Sequence, residues 1–82
     1  MSNYANGAAR ERRIMHKLEA EGWSCFRMAG SHSPIDIIAI RNANNNQEFM
    51  FIQSKKSHYL NPQQRIAKKE LEDKLGISIV VM

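Results

Sequence analysis

Two stretches decide how this chain folds: Ile35-Asp36-Ile37-Ile38-Ala39-Ile40 and Phe49-Met50-Phe51-Ile52-Gln53-Ser54-Lys55. The first is nearly all isoleucine and too short for a helix, so it reads as a buried central strand. The second continues a strand over residues 48–53. Residues 41–47 lie between them, with Asn42 and the run Asn44-Asn45-Asn46, and they read as a turn. The two strands therefore form a hairpin.

The flanking sequence completes the pattern. Over residues 8–21 a helical period brings Ala8, Glu11, Ile14, Met15 and Leu18 onto one stripe, and Gly22 supplies a stop. Residues 23–28 read as a strand and 29–34, Ala-Gly-Ser-His-Ser-Pro, as a loop. Residues 54–60 form a second loop. Asn61-Pro62 then opens another helix, with Asn as its cap and Pro at the first helical position. Ile66, Ala67, Leu71 and Leu75 make that helix's apolar stripe, Gly76 ends it, and 77–82 is a last strand. The order α-β-β-β-α-β predicts an α/β fold: a mixed four-stranded sheet with flanking helices. Its last strand arrives by a helical crossover and so pairs in parallel. Residues 1–6 read as a flexible arm and 7–82 as a single domain.

Composition narrows the class. The chain has 82 residues, 43% apolar and 24% charged, which suits one small globular domain with a thin core. Its longest apolar runs fall far below the roughly 20 residues of a membrane helix. The first residues lack a signal peptide's basic start and apolar core, so the expectation is an intracellular protein without membrane attachment. The single cysteine, Cys25, excludes an internal disulfide or a CxxC metal site. Twelve Lys and Arg against eight Asp and Glu give a net charge of +4, which favours a polyanionic partner such as nucleic acid. The cations cluster at Arg10, Arg12, Arg13 and Lys17, at Lys55 and Lys56, and at Lys68 and Lys69.

The informative residues are polar ones on faces expected to be inward. On a helical projection at about 100° per residue, Glu11 sits amid Ala8, Ile14, Met15 and Leu18. Asp36 shares a strand face with Ile38 and Ile40, while Gln53 and Lys55 follow Phe49 and Phe51 on one face of the next strand. Burying an unpartnered carboxylate costs several kcal/mol, so Glu11 and Asp36 need compensation. If Glu11, Asp36, Gln53 and Lys55 meet at one sheet edge, their oxygens form a hard donor set of the kind Mg²⁺ accepts. Lys55 then serves a phosphate or an attacking water, and the chemistry is metal-assisted phosphodiester hydrolysis. Each residue also has a purely structural alternative. Glu11 pairs with a lysine, Asp36 caps a turn after Pro34, and Gln53 and Lys55 mark a strand end.

Gly7-Ala8-Ala9-Arg10-Glu11-Arg12, then residues 30–40 with Gly30-Ser31-His32-Ser33-Pro34-Ile35-Asp36, then Phe51-Ile52-Gln53-Ser54-Lys55, resemble the archaeal-type Holliday junction resolvases. Those belong to the restriction-endonuclease-like PD-(D/E)XK nucleases. The resemblance implies a minimal fold of that kind and structure-selective DNA endonuclease activity dependent on Mg²⁺, with Mn²⁺ as a substitute. It also implies a homodimer acting on branched DNA such as a four-way junction. By position, Glu11, Asp36 and Gln53 match the metal-binding residues and Lys55 the motif lysine. Ser31 matches a loop serine that assists activity. Arg10, Arg12, Arg13, Ser31, His32 and Lys56 are the expected DNA contacts, the basic ones to phosphates.

The chain departs from the family pattern in three respects. Ile35 separates Pro34 from Asp36, the chain is short, and Gln53 stands where the family usually has Glu. At about 2–3 Å and an effective dielectric near 20, the missing charge is worth on the order of 10 kcal/mol of gross attraction to a divalent ion, mostly offset by desolvation. Weaker metal affinity is the expected net result. Two other readings stay open: a nuclease of the same superfamily with a different DNA substrate, and a catalytically inactive nucleic-acid-binding module.

Overall fold

The computed structural model describes the backbone of residues 3–28 and 32–82 and the side chains of residues 7–28 and 32–82. Its elements run α1 (Asn3–Glu19), β1 (Ser24–Arg27), β2 (Ile37–Ala43), β3 (Asn46–Gln53), α2 (Pro62–Leu75) and β4 (Ile79–Val81). The strands form one mixed sheet in the order β1-β2-β3-β4, antiparallel except for the parallel β3–β4 pair. This is the α-β-β-β-α-β core expected of the chain.

Helix α1 starts at Asn3, so its backbone continues through residues 3–6, where the sequence reads as an arm. No proline interrupts that stretch, and once a helix is nucleated each further residue adds one hydrogen bond. At its other end, Trp23 N–H donates to Leu18 O at 3.1 Å and Gly22 N–H to Glu19 O at 3.0 Å. Gly22 takes φ 94°, and the Trp23 and Leu18 side chains meet in the core. This paired-bond stop needs a residue free to enter the left-handed region, and glycine enters it at no steric cost.

The β2–β3 hairpin is longer than expected and its turn shorter. Both strands extend into the asparagine-rich stretch, leaving only Asn44 and Asn45 in the turn, at φ 52° and 67°. Two consecutive positive φ values match the twist of a two-residue hairpin, and asparagine tolerates them better than most residues.

The core lies between α1 and one face of the sheet. Ile37, Ala39 and Ile52 are fully buried there beneath Ile14, Leu18 and Trp23, with Met15, Cys25, Met50 and Met82 packed around them. The opposite face is partly open, contrary to the expectation that β2 is buried on both sides. Ile38 and Ile40 are half-buried, and Phe26 and Phe49 are exposed. Helix α2 contributes no buried residue, and Ile66 and Leu75 of its apolar stripe face solvent. Among the described residues no helix is long and apolar enough to cross a membrane.

Helix α2 is instead secured by its ends. Asn61 Oδ1 accepts from Gln64 N–H at 2.8 Å, and Gln64 Oε1 accepts from Asn61 N–H at 2.9 Å, a reciprocal cap. Near the other end, Glu72 accepts from the Ile79 N–H of β4 at 2.7 Å and from Lys68 Nζ at 3.1 Å. The Ile79 hydrogen bond, aided by Lys68, holds the Glu72 carboxyl below the usual carboxylate range. A lowered folded-state pKa contributes stability that is present above the unfolded pKa and lost as pH falls through the folded one. Glu72→Gln is therefore expected to lower the unfolding temperature at pH 7. The gap from the parent should close between about pH 5 and pH 3 in thermal melts across pH. A gap that stays constant would remove the charge of Glu72 from the stability of the α2–β4 joint.

Candidate active site

The site stands where β2 begins and β3 ends. Ile37 and Ile52 are the last paired residues of the hairpin, and just beyond them Asp36 and Gln53 stand side by side at its open end. The backbone of Asp36 is bonded on both sides. Its N–H donates to Ile52 O at 2.8 Å, and its C=O accepts from Met28 N–H at 2.8 Å. The next contact continues the pattern: Asp36 Oδ2 accepts from Ser54 N–H at 2.8 Å. Residues 53–55 are held in turn by β4, where Met82 N–H donates to Gln53 O and Lys55 N–H to Met82 O, both at 2.9 Å. The position of Asp36 is thus set by main-chain bonds, which no side-chain rotation loosens.

Burial pushes the Asp36 carboxyl above its ordinary range, and the charge of Glu11 adds to the rise. The Ser54 N–H, Lys55 and Arg10 oppose it. Through Ser54, which takes Arg10 Nε on its hydroxyl and gives its N–H to Asp36, α1 and the end of β3 meet the start of β2. Gln53 is 8% exposed, and its Oε1 is buried without a donor among the described residues. An unsatisfied buried acceptor costs about 1–3 kcal/mol, so this oxygen is an anomaly in a purely structural strand end.

Glu11 is engaged differently from the expectation. Its Oε1 accepts from Arg27 Nε of β1 at 2.6 Å, in a pair whose side chains are 19% and 28% exposed. The compensating charge for this inward carboxylate is an arginine of the same sheet. Among the described residues no three His, Cys, Asp or Glu side chains form a metal-binding group. The candidate donors at the open end of the hairpin are one carboxylate, Asp36, and one amide, Gln53, oxygen groups of the kind Mg²⁺ accepts. Arg27 was legible in outline, because Trp23, Cys25 and Arg27 alternate onto one face and the last of these is charged. Ser54 carried no side-chain signal, since its backbone N–H does the work.

The expected DNA contacts divide. Arg10 donates from Nε to Ser54 Oγ at 3.1 Å, which ties α1 to the end of β3. Lys56 is exposed and shares a cleft with Arg10 and Lys55. Arg12, Arg13 and His32 are exposed. Ser31 lies outside the described residues.

The fold is an α/β core in the order α-β-β-β-α-β, with a mixed four-stranded sheet and two helices. The chain matches the family described as archaeal Holliday junction resolvase (hjc) over residues 2–75, and it belongs to that family. No curated protein and no solved structure matches it.

The raised Asp36 pKa has a consequence for stability. An acid that is harder to ionise in the fold than in the unfolded chain destabilises the fold above its folded pKa, and the penalty disappears below the unfolded one. Asp36→Asn keeps an acceptor for the Ser54 N–H and removes the charge. In EDTA it is expected to raise the unfolding temperature at pH 7 and leave it unchanged at about pH 3. A lower unfolding temperature at pH 7 would mean that the ionised carboxylate stabilises the fold.

Proposed function

We propose that this chain is a Mg²⁺-dependent endonuclease that hydrolyses phosphodiester bonds in branched DNA, most simply a four-way junction. The observation that carries the reading is that Asp36 bonds to the backbone of Ile52 and Ser54, on either side of Gln53. Asp36 brings a desolvated carboxylate and Gln53 a buried amide oxygen with no donor among the described residues. Asp36 and Gln53 are the residues that would hold the cation, with Glu11 contributing if it exchanges Arg27 for the ion. A divalent cation held there, Mg²⁺ or Mn²⁺, supplies Lewis-acid polarisation of the phosphoryl group and a more acidic water.

The chain's own groups act around it. Ser54 N–H orients the Asp36 carboxylate. The ammonium of Lys55, close enough to influence Asp36, orients the attacking water or a non-bridging phosphate oxygen. Arg10 and Lys56 neutralise flanking phosphates, which fixes position without reading sequence. Symmetric incision of a four-way junction needs two such sites, so the acting form is a homodimer. The exposed Phe26, Phe49, Ile66 and Leu75 supply apolar surface that a partner copy would cover.

A second reading is favoured by one observation. Glu11 is already neutralised by Arg27, and Gln53 carries no charge, so a weak metal site could leave a junction-binding protein without cleavage. Incubation of the protein with a labelled four-way junction over a Mg²⁺ titration separates the two. The nuclease reading expects cleavage that EDTA abolishes. Asp36→Ala and Lys55→Ala are each expected to lower cleavage by about 10²-fold or more, with junction binding in EDTA kept within about threefold. Binding without cleavage at any Mg²⁺ or Mn²⁺ concentration would establish the second reading. Gln53→Glu restores the missing negative charge and is expected to lower the Mg²⁺ midpoint for cleavage. An unchanged midpoint would remove Gln53 from the cation's shell.

A further inference from the structure

Beside Asp36 a cleft of about 380 Å³ opens between α1 and the loop leading to α2, lined by Arg10, Lys55, Lys56, Tyr59, Asn61 and Gln64 among others. Its volume is in the range of small-ligand sites. Three of these residues are cations, and no carboxylate lines the cleft. The reciprocal cap occupies the side-chain oxygens of Asn61 and Gln64, so their amides have only N–H groups left to offer. The lining is therefore rich in donors and positive charge, a match for an anionic ligand with many acceptor oxygens. Tyr59 adds a large ring that is 60% exposed. Such a ring in a basic cleft is the combination used by binding grooves for single strands.

The loop holds this ring in place from both sides. Before it, His58 N–H reaches Lys55 O at 3.4 Å, and His58 takes φ 58°, a left-handed conformation that is costly for a residue with a side chain. After it, Leu60 is buried and Asn61 caps α2. Strained backbone of this kind persists only where its surroundings enforce it, and it gathers at ligand sites.

We propose that this cleft takes an unpaired nucleotide of the DNA strand flanking the scissile phosphate. Its base stacks on Tyr59, and its phosphates lie on Arg10 and Lys56. The inference rests on the DNA-cleaving reading of the neighbouring site and adds to it a preference for substrates whose bases leave the stack. Bases inside a continuous duplex have no face available to Tyr59, whereas bases at a branch or flap do. Stacking is indifferent to base identity, so the preference is for structure rather than sequence.

Fluorescence anisotropy in EDTA tests this with three labelled probes: a ten-nucleotide oligo-dT, an intact duplex, and the same duplex carrying a short oligo-dT flap. Tyr59→Ala should weaken oligo-dT and flap binding about 10-fold or more and leave intact-duplex affinity within about twofold. Tyr59→Phe should bind like the parent, because the ring stacks and the hydroxyl does not. Circular dichroism melts report folding independently, and this exposed side chain should leave them unchanged. Equal losses on all three probes, no loss on any, or a Tyr59→Phe variant as weak as Tyr59→Ala would overturn the stacking role while leaving the nuclease reading intact. A parent protein that binds neither oligo-dT nor the flap would overturn the cleft proposal, whereas the nuclease reading falls only if the four-way junction also goes unbound and uncut.

Discussion

The antiparallel register of β2 and β3 is the constraint on which the rest depends. Ile37 and Ile52, opposite one another, are both completely buried, so the pairing is locked by the side chains that fill the space under α1. Side chains alternate with period two. A slip of one residue would invert one strand against the other, turning either Ile37 or Ile52 outward and driving its polar neighbour toward the core, at the cost of unpartnered polar burial. The hydrophobic fit that stabilises the sheet therefore also sets Asp36 beside Gln53. Stability and site geometry rest on one interdigitation, and the hairpin turn at Asn44-Asn45 starts the strands in that register.

Charge at the site is arranged unevenly around this frame. Asp36 is half-desolvated and harder to ionise than usual, and one backbone N–H and two nearby cations only partly compensate. Glu11, inward on α1, is compensated by a short ion pair with Arg27. Gln at position 53 leaves a polar oxygen buried without adding a second carboxylate beside Asp36. A site with less negative charge has less self-repulsion in the free protein and a weaker hold on a cation. Neighbouring Arg10, Lys55 and Lys56 are suited to a ligand that brings its own negative charge. On the proposed function, this balance favours a cation held together with a DNA phosphate over one held by the protein alone.

The sheet is covered on one side by α1, and its other face carries Phe26, Ile38, Ile40, Phe49 and Phe51, with the rings of Phe49 and Phe51 stacked at 6.5 Å. Helix α2 is tied by its caps and by the Glu72–Ile79 bond rather than by a buried stripe. For so small a chain, a two-sided core would need more apolar volume than it can supply. The loop between β3 and α2 is tied down by other means: a bond from Lys55 N–H to Met82 O, a buried Leu60 and the Asn61–Gln64 cap.

Much of this was legible in the residues. Alternation and helical period assigned the six elements and their order. Asn61-Pro62 and Gly76 marked the ends of α2, and polar groups on faces expected to be inward singled out Glu11, Asp36, Gln53 and Lys55 as candidates. Local signals misjudged the hairpin turn, because Asn44 and Asn45 accept positive φ and let the strands run on. They also could not tell that α2's apolar stripe stays exposed, since periodicity records which residues share a face and not what covers it. By itself the sequence determined the elements, their polarity patterns and the family. Only the tertiary structure decided that Arg27 takes Glu11, that the Ser54 N–H takes Asp36, and that the Gln53 oxygen is left without a donor. Those outcomes depend on which atoms of distant segments come within hydrogen-bonding reach, and chain order does not encode that distance.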